Sequence, residues 1–270
     1  MYALSYARPN SLEEAVSLLR EHEEAKLLSG GMTLVATLKQ KLAAPSHLVD
    51  LTRLSELKGI AVDGDILRVG AAMRHVEVAE SSVVLGAIPA LAYLASQIAD
   101  PQVRNRGTIG GSVANNDPAA DYPSAVLGLG ATVITNQRRI AADEFFVGMF
   151  QTALDPAEIL TAIEFPIPEF ANYVKYRNPV SGYAVVGVFV SRTGADVRVA
   201  ITGAGASVFR WTPAEESLLQ DGSGEGLAEI TLSPQDTVGD VHNSAAHKAH
   251  LVGVFTRKAV AGLRARPPKC

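Results

Sequence analysis

The sequence predicts an α+β protein in three consecutive parts, and three observations carry that prediction. The first 57 residues alternate short apolar runs with a helical pattern, in the order of a small βαβ unit. After Lys58-Gly59 the pattern changes to a hairpin signal, apolar helical segments and further strands of a mixed or antiparallel sheet, as far as Pro166-Ile167-Pro168. From residue 169 onward three strand-like runs precede a long helical segment, which describes a small three-stranded sheet with helices. Prolines one residue apart interrupt regular structure and suit a connection, so the expected divisions are 1–57, 58–168 and 169–270.

The elements follow in order. Ser11-Leu12-Glu13-Glu14 has the spacing of a capping box, in which Ser11 and Glu14 satisfy each other's backbone donors. Leu12, Ala15, Val16 and Leu19 then share one helical face. A strand at 26–28, a helix at 33–39 and a strand at 47–51 complete the first unit. Asp63-Gly64-Asp65 joins strands at 60–62 and 66–69 as a hairpin. Helices at 89–99 and 122–129 and strands at 131–135 and 159–165 fill the second part. The third part carries strands at 173–177, 185–191 and 197–202, a short helix from about Pro213, a Gly/Ser-rich loop at 221–226 and a helix at 244–263. In that helix Ala245, Ala249, Val252, Thr256, Ala259 and Leu263 form a stripe suited to packing on the sheet.

Bulk properties exclude several function classes. With 270 residues, 47% hydrophobic and 19% charged, the chain is rich enough in apolar side chains for real cores and is not a disordered composition. The net charge of -4 and the absence of long Lys/Arg runs give no nucleic-acid footprint. No stretch approaches about 18 uninterrupted apolar residues and the opening residues lack a signal-peptide pattern, so the expectation is a cytoplasmic protein that is not integral to a membrane. The single cysteine, Cys270, allows neither an internal disulfide nor an iron–sulfur cluster held by this chain's cysteines. No Gly-x-Ser-x-Gly elbow is present, which leaves hydrolase chemistry without support. His247 and His250 have an i, i+3 spacing, but with no carboxylate or cysteine in that turn they read as a polar helix face and no metal is assigned.

What remains are two glycine-rich segments roughly eighty residues apart: Ser29-Gly30-Gly31-Met32-Thr33-Leu34 and Thr108-Ile109-Gly110-Gly111-Ser112. Glycine lacks the Cβ that keeps a backbone away from a bulky anion, so Gly-Gly steps leave N–H groups free to point at phosphate oxygens. Either segment alone is an ordinary tight turn of an α/β protein. Together, each after a short apolar run and each closed by a hydroxyl residue, they describe two walls of one pyrophosphate cradle and hence a dinucleotide. Downstream, Asn115-Asn116-Asp117 and Asp121 concentrate polar side chains of the kind a ribityl chain or a flavin edge requires, although Asp117 and Asp121 also precede prolines in the manner of helix N-caps.

The segments 104–121 and 28–34 together resemble the FAD-binding medium subunit of the molybdenum hydroxylases, the family that includes aerobic carbon monoxide dehydrogenase and xanthine dehydrogenase. The likeness extends through Tyr6-Ala7-Arg8-Pro9, Val49-Asp50-Leu51, Asp155 to Leu160, Lys175-Tyr176-Arg177 and the Arg257-Lys258-Ala259 helix, in the family's order and spacing. The resemblance implies a fold of two subdomains holding FAD between them, of the PCMH-like type, followed by a C-terminal domain. It implies that residues 29–33 and 108–112 wrap the FAD pyrophosphate, that Asp121 contacts the flavin side, that Ile98 packs against the cofactor, that Leu160 lines the adenine end and that Lys175 approaches the flavin edge. Met32 departs from the polar residue common at its position, and Asn115 stands where the carbon monoxide dehydrogenase branch commonly has His, which argues against that substrate.

In such systems a molybdenum cofactor on a large subunit oxidises the substrate, and electrons pass through [2Fe–2S] clusters on a small subunit to FAD. The resemblance therefore implies an FAD-carrying electron-transfer subunit with a small iron–sulfur partner and a large molybdenum partner, arranged as a dimer of heterotrimers, with quinone, NAD or oxygen as acceptor. Two other readings stay open at this point: a stand-alone FAD-dependent oxidoreductase, and a non-catalytic assembly subunit that has lost FAD.

Overall fold

The computed structural model describes residues 1–221 and 224–264, so part of the expected 221–226 loop and Cys270 lie outside the described residues, as does the side chain of Leu263. The first part contains β1 (Ser5–Ala7), α1 (Leu12–Glu21), β2 (Lys26–Leu28), α2 (Leu34–Lys39) and β3 (His47–Asp50). They form a parallel sheet in the order β1-β3-β2. Three residues are too few for β1 to show a period in the sequence, and only its pairing with β3 makes it a strand. The cap of α1 is half of the expected box. Ser11 Oγ accepts from the Glu14 N–H at 3.2 Å, but the Glu14 carboxylate accepts at 2.7 Å from Asn10 N–H rather than from Ser11. Ala15 and Val16 pack with Val49, Leu54, Leu57 and Ile159 in a small core.

The second part opens with the expected hairpin of β4 (Ile60–Asp63) and β5 (Ile66–Gly70), in which Asp63 pairs with Ile66 and Gly64 takes a φ of +54°. Six helices follow: α3 (His75–Glu80), α4 (Ser82–Ala87), α5 (Pro89–Ser96), α6 (Pro101–Arg104), α7 (Ile109–Asn115) and α8 (Tyr122–Gly128). The helix expected to reach residue 99 ends at Ser96, since Ala99 is left-handed at φ +42° and Asp100 starts a new helix by accepting from Val103 N–H at 2.8 Å, with Pro101 at its first position. The chain then forms β6 (Thr132–Thr135), β7 (Arg139–Ala141), α9 (Ala142–Phe145), the β8 (Phe146–Gly148) and β9 (Gln151–Thr152) ribbon, and β10 (Leu160–Pro166). Its main sheet is antiparallel in the order β4-β5-β10-β6-β7. Leu91, Leu94, Ile109, Val113, Tyr122 and Val126 cover it with the largest core of the protein.

The third part is β11 (Phe170–Arg177), β12 (Ala184–Thr193), β13 (Asp196–Thr202), β14 (Phe209–Arg210), α10 (Thr212–Asp221) and α11 (Ala245–Arg264). A two-residue edge strand, β14, thus adds a fourth member to the three strands expected, in the order β11-β12-β13-β14. Ala249, Val252, Thr256 and Ala259 of the α11 stripe are buried, and His247 and His250 are exposed. The other face of this sheet closes on α8. Ser191 Oγ donates to Gly128 O at 2.5 Å, Thr202 Oγ1 to Ala120 O at 2.7 Å, and Gly203 N–H to Pro118 O at 2.7 Å. The polar segment 115–121 is therefore fixed between the second and third sheets.

Candidate functional site

The loop between β2 and α2 meets the start of α7 backbone to backbone. A Cβ on Gly30 would lie 2.2 Å from the Arg106 carbonyl oxygen and 2.6 Å from Gly107 Cα, so only glycine permits the contact. Ser29 Oγ and Thr108 Oγ1 share a hydrogen bond of 3.0 Å across the same junction. Gly31 is left-handed at φ +73°, and its carbonyl accepts from Val35 N–H to begin the next helix. Among the described residues the N–H groups of Gly30, Gly31 and Met32 donate to no protein acceptor, which is the donor set an anion requires.

The second glycine segment is not a turn. Gly110 and Gly111 lie in the first turn of α7, with Thr108 as its cap. The N–H groups here are already used: Ile109 donates to Met73 O at 3.0 Å, Gly110 to Ala71 O at 2.9 Å, Gly111 to Thr108 Oγ1 at 3.2 Å and Ser112 to Thr108 O at 3.0 Å. Glycine at 110 serves close packing, since a Cβ would fall 2.5 Å from Ala71 Cβ and 2.7 Å from its carbonyl oxygen. This segment supplies a smooth wall and hydroxyls, and the 29–34 loop supplies the free N–H groups.

Both segments border a cleft of about 720 Å³, well within the range of small-molecule sites. Ser29, Gly30, Gly31, Met32, Thr33, Leu34, Ile98, Thr108, Gly110, Gly111, Ser112, Asn115, Asp117, Asp121 and Leu160 all line it. Three expected residues do not: Ile109, Lys175 and Asn116. Ile109 is fully buried in the core below α7, where its side chain packs with the apolar cluster. Lys175 stands behind Asp121 instead of in the wall: its Nζ donates to both Asp121 oxygens at 2.8 and 3.0 Å and to Gln97 O at 3.0 Å.

That ion pair is part of the scaffold. The side chains of Asp121 and Lys175 are each 4% exposed, and Tyr173 donates to Asp121 Oδ1 at 2.5 Å. Burial pushes the Asp121 carboxyl up and the Lys175 ammonium down, and their mutual attraction opposes both shifts. Asp121 occupies the N-cap position of α8 without capping it. Lys175 also belongs to a group of cations that fix segment 97–99, whose Ile98 and Ala99 line the cleft, with Arg104 donating to Ile98 O at 2.8 Å and Arg177 to Ala99 O at 2.8 Å. Asp117 accepts from Ala119 N–H at 2.9 Å in a local turn, and burial raises its carboxyl. Asn116, expected among the cofactor-facing groups, is fully buried. Its Nδ2 donates to Gly148 O and Gln151 O at 2.8 Å each.

Three lining residues had no signal in the sequence. Tyr183 reaches the cleft because Gly182 sits against Ala99, where a Cβ would be 3.0 Å from Ala99 Cα. Phe150 comes from the β8–β9 tip. His75, the first residue of α3, lies under Gly107, and burial followed by the charge of Arg104 lowers its pKa to about 4. None stands in a recognisable motif, and each is brought in by a contact distant in sequence.

Residues 2–168 match the family of FAD binding domains in molybdopterin dehydrogenases. The chain is 32% identical to the nicotine 6-hydroxylase medium subunit of Paenarthrobacter nicotinovorans over 98% of each protein, and 31% identical to the carbon monoxide dehydrogenase medium chain of Hydrogenophaga pseudoflava over 97% of each. Among solved structures it is similar to a chain of carbon monoxide dehydrogenase from Hydrogenophaga pseudoflava, with a TM-score of 0.88 and 31% identity over 98% of both chains. A chain of quinoline 2-oxidoreductase from Pseudomonas putida 86 gives a TM-score of 0.87 at 29% identity over 97% of both. The matched family covers the two parts that meet at Gly30, the medium subunits are matched over nearly their whole length, and the chain belongs to the FAD-binding medium subunits of the molybdenum hydroxylase family.

Proposed function

We propose that this chain holds FAD in the cleft between its first two parts and passes electrons from [2Fe–2S] clusters on a small partner subunit to an external acceptor, with a molybdenum cofactor on a large partner subunit. The observation that carries this reading is the junction at Gly30, where two segments meet in a close backbone contact and, among the described residues, leave the N–H groups of Gly30, Gly31 and Met32 without protein acceptors beside a cleft of about 720 Å³. Those donors suit a pyrophosphate, with Ser29, Thr33, Thr108 and Ser112 as supporting hydroxyls. Leu34, Gly110 and Gly111 complete the wall beside these donors. Ile98 and Tyr183 line the flavin end together with Asn115, Asp117 and Asp121. Leu160 lines the adenine end.

FAD accepts electrons singly and can release them in pairs, which suits the end of an iron–sulfur chain. The protein's part is to bind, orient and tune. Lys175 keeps Asp121 in place, and Lys175, Arg104 and Arg177 keep segment 97–99 in place, so the wall is set before the cofactor arrives. We take the chain as three parts, 1–57, 58–168 and 169–270, a division supported by its sheets of three, five and four strands. Among the described residues no helix is long and apolar enough to cross a membrane. A cytoplasmic complex of two heterotrimers is the assembly we favour.

Reconstitution tests the reading. Bound FAD in the isolated chain should exchange electrons slowly with NADH or dyes and quickly once the iron–sulfur and molybdenum subunits and a substrate are added. Rapid turnover by the isolated chain would instead support a self-sufficient oxidoreductase.

A further inference from the structure

The turn that leads into β10 is held by one buried carboxylate. Glu158 Oε1 accepts from Thr135 Oγ1 at 2.7 Å and from Arg138 Nε at 3.0 Å, while Oε2 accepts from Arg138 Nη2 at 3.0 Å and from Asp155 N–H at 2.8 Å. Arg138 also donates to Ala153 O at 2.7 Å, and Glu158 N–H closes the turn on Asp155 O at 3.0 Å. Ile159 N–H and C=O are both bonded to Asn136, at 2.7 and 3.0 Å. Among the described residues this leaves the N–H and C=O of Ala157 and the C=O of Glu158 without protein partners. The same main chain belongs to the cleft wall. Glu158 lines the cleft and is 4% exposed although its side chain is 0% exposed, so what it shows there is backbone. Ala157 also lines it and is left-handed at φ +60°, a conformation that costs an L-residue stability and concentrates where a ligand is gripped.

Resting on the FAD reading above, which puts the adenine end at Leu160, we infer that the main chain of Ala157 and Glu158 hydrogen-bonds the 6-amino and N1 edge of the bound adenine and selects the base, with Arg138 as its positioning residue. Ile159 shares a small core with Leu57, Leu27 packs against that core, and all three line the cleft together with Leu154. Aliphatic side chains beside one free N–H and two free carbonyls suit a neutral planar base. Adenine offers a ring nitrogen that accepts and an amino group that donates, the complement of Ala157 N–H and of a carbonyl of Ala157 or Glu158. Hypoxanthine reverses both, setting an N1–H against the Ala157 donor and a C6 carbonyl against an acceptor. Arg138 acts on the base through Glu158 and Ala153, whose positions it fixes.

The test is calorimetric titration of the full chain with FAD and with its deaminated analogue, flavin hypoxanthine dinucleotide, which keeps the flavin, sugars and phosphates. The wild type should bind the analogue about 10- to 100-fold more weakly than FAD, because two matched groups become opposed. Arg138→Met should weaken FAD by about tenfold and bring the two dinucleotides within about threefold of each other. A role in stability alone would instead lower the melting temperature and keep the wild-type ratio. Arg138→Lys, which retains a donor for Glu158, should recover part of the ratio. Wild-type binding of the analogue within twofold of FAD would overturn the base reading, a comparison that depends on no variant. A wild-type ratio in Arg138→Met would overturn the positioning role. Failure of the wild type to take up either dinucleotide would sink the FAD reading itself, a result distinct from equal binding of both.

Discussion

Gly30→Ala perturbs the close backbone contact between the first glycine loop and the residues leading into α7. The added Cβ would stand 2.2 Å from Arg106 O, 2.6 Å from Gly107 Cα and 2.8 Å from Arg106 C, all of them backbone atoms that no rotamer change can move. To reach ordinary van der Waals separation the segments must part by roughly 1 Å. Overpacking of this kind costs about 1–3 kcal/mol. If FAD binds only the touching arrangement, that cost appears as a loss of affinity of about 5- to 150-fold. The part of the cost borne by the free protein lowers its melting temperature by roughly 2–10 °C. Titration with FAD, followed by calorimetry, and a melting curve of the FAD-free chain read the two terms separately. Gly86→Ala is the control, because its Cβ meets nothing within 4 Å and it lies in α4. The control should leave affinity unchanged and leave stability equal or slightly raised. A Gly30→Ala protein that binds FAD within twofold of wild type and melts with it would refute the backbone-contact account of the cradle.

Further outcomes follow from the same geometry. Gly110→Val should damage folding more than binding, since the new side chain strikes the Ala71 backbone inside the core, and a soluble variant with normal melting and lost FAD would contradict this. His75 has a folded pKa of about 4 against an ordinary value near 6.5, so the unfolded chain binds its proton first. Its contribution is whole above about pH 6.5 and is lost as pH falls toward 4, about 3 kcal/mol in all. His75→Gln should flatten that limb relative to wild type, and an unchanged difference between pH 7 and 4.5 would exclude it. Lys175→Met or Asp121→Asn alone should cost about 3–5 kcal/mol by leaving a buried group unpaired, and the double variant should cost clearly less than their sum in denaturant unfolding. Additive losses would show that the pair does not act as a unit. Met32→Ala should leave FAD affinity within about twofold, because the chain offers its backbone and not the exposed Met32 side chain.

Much of this architecture is legible in the sequence where a local rule dominates. The Asp63-Gly64-Asp65 hairpin, the strands β10 to β13 and the long helix α11 all follow from turn chemistry and apolar period. The first glycine loop is also readable, because a strand, Gly-Gly and a helix start leave few alternatives. The second is misread as a turn for a physical reason. Glycine pairs occur both where N–H groups are free and where helices pack closely, and only the clash of a Gly110 Cβ with Ala71 tells the two apart. Lys175 shows the same limit. On a strand beside Tyr176 and Arg177 it reads as a surface or cleft cation, and only the 54-residue contact with Asp121 turns it into a buried strut. Phe150 and Tyr183 are invisible for the same cause, as each reaches the cleft through a tertiary contact to Asn116 or Ala99.

The most direct test of the central claim is an FAD titration of the purified chain with cofactor in excess, followed by calorimetry and visible absorbance. Saturation at about one FAD per chain, with the affinity weakened about 5- to 150-fold in Gly30→Ala and kept in Gly86→Ala, is the expected result. Absence of FAD both from the isolated chain under saturating cofactor and from the chain co-purified with its iron–sulfur and molybdenum partners would contradict it.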